Sequence, residues 1–176
     1  MTSTALRQRF LVLHDYGMGG LWWWITADSA RQIAETFAEV EVIEDADSLE
    51  RAATWGLDEV DVDAPTWPVG LDELKNRRDG QRGRPGFAAF ADREIGHFRQ
   101  TEDGIPTVYL IEVGSDGRRF RQVELHEDGS VWKSGPEDWP FNPPVVDMFD
   151  PDLVDCEIDA AEFEAQWNLA RQVERV

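Results

Sequence analysis

The stretch from Tyr109 to Gly129 constrains the fold more than any other part of the chain. Thr107 to Val113 is β-branched and apolar, a central-strand pattern, and Gly114-Ser-Asp-Gly117 follows as a turn by composition. Arg118 to His126 reads as the next strand, and Glu127-Asp-Gly129 turns it into a third, Ser130 to Ser134. These residues predict a three-stranded meander. The clearest helix comes last: Asp159 with Glu162 three residues on has capping-box spacing, and Ala160, Phe163, Trp167 and Ala170 fall on one stripe. A meander followed by one amphipathic helix makes an α+β unit, with the helix laid on the apolar face of an antiparallel sheet.

The N-terminal end repeats the mixture without repeating the sequence. Phe10 to His14 and Leu21 to Ile25 are short apolar runs separated by Asp15-Tyr-Gly-Met-Gly-Gly20, so they predict an antiparallel hairpin with a long loop. Side chains alternate along a strand, so Trp22 and Trp24 share a face with Thr26, and Trp23 shares the other with Leu21 and Ile25. Asp28 or Ser29 can cap a helix carrying Ala30, Ile33, Ala34 and Phe37; Val40 to Ile43 reads as a strand and Ser48 to Trp55 as a helix ended by Gly56. Residues 1–63 thus form a ββαβα unit.

Between the two, residues 64–106 lose periodicity. Pro65, Pro68 and Pro85 interrupt them, and Lys75 to Arg84 holds five of the chain's 17 basic residues in a glycine-containing run that predicts a mobile basic loop. The expected organisation is two small halves joined by this irregular connector, the second spanning 107–176. Pro136 to Pro151 contains five prolines, too many for regular structure, and is expected to wrap the surface with Trp139, Phe141 and Phe149 anchored.

A net charge of −19 disfavours direct binding to nucleic acid or anionic lipid and favours cationic partners. Acids outnumber bases 12 to 2 over residues 28–63 and 13 to 3 over 125–176, whereas 64–124 is balanced at 10 each. The acidity therefore belongs to the flanks. Asp58, Glu59, Asp61 and Asp63, together with Asp150, Asp152 and Asp155, are the candidate contacts for a basic partner, bordered by Trp22 and Trp24. The acids at 58–63 lack the glycine and distal Glu of a calcium loop, and a strand or loop with one acidic face is the plainer reading. Cys156 is alone, which leaves no internal disulfide or cysteine zinc site and suits a reducing, cytoplasmic setting. The polar start of the chain and the lack of an apolar run of about 18 residues fit that expectation.

Catalytic signals are thin. His14, His97 and His126 match no local metal signature, and no positioned nucleophile accompanies them. The glycines at 17, 19 and 20 fit a turn between strands better than a phosphate loop. His14, Asp15 and Tyr16 are the candidates if the chain is an enzyme; no cofactor is expected. Arg119 and Arg121 are expected on one face with Val123 and Leu125, either as an anion clamp or, with Glu112, as cross-strand ion pairs.

Arg121-x-Val123-Glu124-x-x-x-Asp128-Gly129, with Glu162-Phe163-Glu164-x-x-Trp167 after the proline-rich segment, resembles a small bacterial domain family of unknown function over about 107–172. Families of this kind resemble components of toxin and immunity systems, in which small acidic α+β proteins cap a toxin. The resemblance implies no catalytic residue. The expectation is a non-enzymatic acidic protein of immunity or antitoxin type that blocks a cationic protein; the alternatives are a regulatory or assembly subunit, self-associating through Trp22 to Trp24, and an enzyme with its site near His14.

Overall fold

The computed structural model describes residues 6–173, which divide into two units, one ending at Arg84 and one beginning at Pro85.

In the first unit β1 (Gln8–Asp15) and β2 (Gly20–Ala27) form the expected hairpin, paired from Gln8↔Ala27 to Asp15↔Gly20. Helix α1 (Ala30–Thr36) starts at Ser29, whose Oγ accepts the Gln32 N–H at 3.2 Å. β3 (Glu41–Ile43) joins the edge at β1, and α2 (Ala46–Ala52) begins earlier than the sequence pattern suggests. Its cap is Asp45, which accepts the Ser48 N–H at 2.8 Å; that bond holds the Asp45 carboxyl below its ordinary range. β4 (Glu59–Asp61) then adds parallel to β2, completing a mixed sheet of order β3-β1-β2-β4.

The mobile basic loop is a correction. Residues Leu71–Gln81 form a helix, α3, so the basic run is largely helical; the connector is irregular only on either side of it, and the division between units falls three residues past its end. Its buried positions are Leu71, Leu74, Arg78 and Gln81, at helical spacing but half of them polar, which is why no apolar period marks it. Arg78 is fully buried. Its Nη2 donates to the carbonyls of Ala34 at 2.9 Å and Phe37 at 3.1 Å, and its Nη1 to Gln81 Oε1 at 2.6 Å. Those carbonyls close the C-terminal end of α1, where a helix has no donors of its own. Arg82 adds a bond to the Glu35 carbonyl, while Lys75 pairs with Asp79 and Arg77 with Glu39. Arginines that looked like a solvated loop are the cap of another helix.

Both faces of this sheet are covered, a fuller arrangement than helices on one face. Val12, Trp23 and Ile25 pack with Ile33 of α1, Phe37 just past its end, and Leu71 and Leu74 of α3. On the other side Leu11 and Trp24 pack with Ala52 of α2, with Trp22 at the border. The alternation read from the three tryptophans decides this split.

The second unit holds five strands, β5 (Ile95–Glu102), β6 (Ile105–Gly114), β7 (Arg119–Leu125), β8 (Val131–Ser134) and β9 (Arg171–Gln172), in that spatial order. The expected meander is β6-β7-β8; it gains β5 before it and β9, parallel to β8, after it. β5 lies in the stretch taken as connector. The hairpin it makes with β6 turns through Asp103-Gly104, with Gly104 at φ 80°.

α4 (Ala160–Leu169) covers one face, bringing fully buried Phe163 against Leu110 and Val123. The opposite face carries Phe98, Ile111 and Val113, closed by Phe90, Val146, Met148 and Leu153 from the irregular segments. Of the three aromatics expected to anchor the proline-rich stretch, Phe149 is buried and Trp139 is half-buried with Nε1 donating to Ser134 Oγ at 3.0 Å. Phe141 is the exception, 86% exposed. The Asp159 cap of α4 is as expected, accepting the Glu162 N–H at 2.7 Å. Asp159→Ala should lower stability by about 1 kcal/mol, read as a lower urea midpoint with an unchanged slope. Among the described residues no helix is long and apolar enough to cross a membrane.

Candidate functional site

The acids at 58–63 lie along and beside the edge strand β4, and the sheet supplies them with arginines. Arg7 reaches Asp61 at 3.1 Å, Asp63 at 2.8 Å and Asp28 at 3.5 Å; Arg9 pairs with Glu59. The patch read from the sequence is therefore partly neutralised by its own chain. Trp22 and Trp24 do not form an exposed border to it. Trp24 is buried, with Arg9 stacked 3.9 Å above its ring, and half-buried Trp22 packs edge-on against Trp55 at 5.3 Å. Self-association through all three tryptophans would require opening the core.

His14, Asp15 and Tyr16 sit together at the end of β1 without converging. His14 Nδ1 meets the Glu39 carbonyl at 2.9 Å, Asp15 accepts the Gly17 N–H at 2.7 Å, and Tyr16 is exposed with its ring 6.5 Å from the imidazole. Asp15 completes a local turn, and His14 ties the end of β1 to the segment that follows α1.

In the second unit Asp150, Asp152 and Asp155 gather on a 3-10 turn, Pro151–Cys156, pinned inward by buried Pro151 and Leu153. Asp150 caps it, accepting the Asp152 N–H at 2.9 Å. Over residues 147–159 there are six carboxylates and no Lys or Arg. Burial first, then Asp155, Asp150 and Asp152, pushes the Cys156 thiol above its ordinary pKa, and Arg93 pairs with the adjacent Glu157.

Arg119 and Arg121, expected on one face, are on opposite faces. A register shift opposes Glu112 to Arg121 but Val113 to Arg119, leaving Phe120 as the extra, exposed residue of a bulge. Arg121 faces α4. Its Nε and Nη2 grip Glu112 at 2.8 and 2.6 Å, it also pairs with Glu164, and its guanidinium lies 4.9 Å from both the Phe163 and Trp167 rings. His97 Nε2 donates to the same Glu112 at 3.0 Å. The hydrogen bond from Arg121 is the chief cause that holds the Glu112 carboxyl below its ordinary value. The cross-strand pairing reading is the one observed for Arg121. The motif residues Arg121, Phe163, Glu164 and Trp167 thus meet in space and bind α4 to the sheet.

Arg119 faces the other way, into a cleft of about 240 Å³ lined by Gln100, Glu102, Tyr109, Gln122, Trp139 and Phe141 with two prolines. Its Nη1 donates to Gln122 Oε1 at 2.5 Å and its Nη2 to Gln100 Oε1 at 3.1 Å, and its Nε–H is buried without a hydrogen-bond partner. Burial lowers its pKa below the ordinary arginine value. Sequence reasoning missed this cleft, since strict alternation sends Arg119 to the α4 face; only the bulge at Phe120 redirects it. Among the described residues no group of three or more His, Cys, Asp or Glu side chains is placed to hold a metal ion.

No protein-family model matches the chain, and no curated protein or solved structure matches it either.

Proposed function

We propose that this is an acidic binding protein of the immunity or antitoxin type, which blocks a cationic protein through the carboxylate face of the second unit. One observation carries the reading. The 3-10 turn and its flanks carry Asp150, Asp152 and Asp155 among the six carboxylates of residues 147–159, a stretch of sequence without Lys or Arg in which Glu157 is paired with Arg93 from outside it; around β4, Arg7 and Arg9 lie against Asp61, Asp63 and Glu59. Concentrated surface charge of one sign steers a partner of the other and fixes its register. The resemblance of residues 107–172 to a small bacterial domain family of unknown function, of a kind that resembles components of toxin and immunity systems, is in keeping with this reading.

Co-purification with the basic protein encoded beside its gene is the direct test. Association should slow steeply with salt, and the combined change Asp150→Asn, Asp152→Asn, Asp155→Asn should reduce the association rate about tenfold or more. The same neutralisation of Asp58, Glu59 and Asp63 should have a smaller effect. Equal losses from the two sets, or a complex indifferent to salt, would remove the assignment.

A further inference from the structure

We propose that the cleft at Arg119 is a binding site for a small monocarboxylate that carries a flat apolar group. It lies on the face of the sheet opposite α4 and stands independently of whether a cationic partner binds this protein.

The guanidinium is the first argument. Most arginines described here are paired with a carboxylate of their own chain, as Arg9, Arg93, Arg99 and Arg121 illustrate. Arg119 makes no ion pair with a described residue. Two glutamine oxygens fix its plane and use two of its five donors, which leaves the Nε–H and one N–H on each Nη. The neutral glutamine clamp orients the guanidinium, which feels Glu102 across the cleft without forming an ion pair with it, and the Nε–H is buried, so the N–H groups left on the two Nη atoms are the ones that suit a carboxylate. Tyr109, on the same wall, has a hydroxyl that makes no hydrogen bond to a described residue and can add a donor.

The walls supply the rest. Trp139 is held by its bond to Ser134, Phe141 stands 86% exposed at the rim, and Pro140 and Pro143 stiffen the strap that carries them. Rigid rings beside an oriented charge suit a ligand with one charged end and one flat end. At about 240 Å³ the space is smaller than the usual pocket for a drug-sized molecule. Charge selects against a dianion. Glu102 lines the cleft, Glu124 is hydrogen-bonded to Gln122 at 2.9 Å, and the whole chain carries −19, so each added negative charge on the ligand meets repulsion.

The test is a titration with phenylacetate, followed by NMR at the side-chain amides of Gln100 and Gln122 and the Trp139 indole N–H. The expected result is saturable shifts at these three groups, with phenylacetamide and inorganic phosphate each at least tenfold weaker. Arg119→Gln should abolish binding. Two variants at positions outside the core guard against a folding failure: Phe141→Ala should weaken binding severalfold, and Glu102→Gln should strengthen it. Absence of saturation, equal binding of phenylacetamide, tighter binding of phosphate, or indifference to both outer variants would overturn the site. A peptide ending in phenylalanine with a free carboxylate that binds more tightly than phenylacetate would overturn the free small molecule as its occupant.

Discussion

Gly117→Ala is expected to destabilise the second unit by about 3 kcal/mol or more, enough to consume much of the margin of a small domain. Gly117 has φ 79°, a region in which a side chain alone costs about 1–2 kcal/mol. Space makes the larger contribution. A methyl at this position drives into the carbonyl oxygen of Val146 and sits 3.1 Å from its nitrogen, and Val146 is backbone that cannot rotate away. The same Val146 N–H donates to the Gly117 carbonyl at 2.9 Å, so relieving the overlap also breaks the bond that ties the proline-rich segment to the β6–β7 turn. Gly129→Ala is the matched control: φ is 81° and nothing lies within 4 Å, so only the backbone term of about 1–2 kcal/mol should appear. Urea unfolding of the two variants measures the difference. Equal losses would mean that the Val146 contact yields easily.

Glu112→Ala should cost about 3 kcal/mol, toward the lower end for a broken buried ion pair because Arg121 retains 26% exposure. The change leaves the Arg121 guanidinium facing Phe163 and Trp167 with only the more exposed Glu164 as counterion, and removes the acceptor of His97. Acid should find the same weak point in the native protein. The folded Glu112 binds its proton less readily than the unfolded one, whose pKa is about 4.3. Its contribution is therefore complete above that value and is lost as pH falls through the lower folded pKa. Glu112→Gln should consequently show a shallower decline in stability on the acid side than the native chain. Parallel decline in the two proteins would place the acid sensitivity elsewhere.

Much of this architecture is legible in the residues. Alternation assigns Trp23 to one core and Trp24 to another, Asp159 announces α4, and the Arg121–Glu112 pair follows from facing strands. What is illegible has specific causes. α3 hides because its inward positions include Arg78 and Gln81, whose hydrogen bonds do the work that apolar contacts usually do. β5 was readable from Asp103-Gly104, a strong hairpin dipeptide, but it sits in a stretch dominated by prolines and charge. The Arg119 cleft depends on one unpaired residue, Phe120, and a bulge leaves no mark in composition. The acids of β4 are visible as acids, while the arginines that pair with Glu59, Asp61 and Asp63 come from β1 and the chain just before it, 50 to 56 residues away in sequence.

The reach of Arg78 across to α1 also sets an order of events in time. α1 has seven residues, too few to persist alone in water, and two carbonyls at its end wait for a donor that lies 44 and 41 residues further along. During synthesis, everything up to β4 can leave the ribosome with α1 still unfinished; the helix locks only when α3 has emerged and folded against it. The first unit can therefore complete its fold only once the chain through Arg78 has been made.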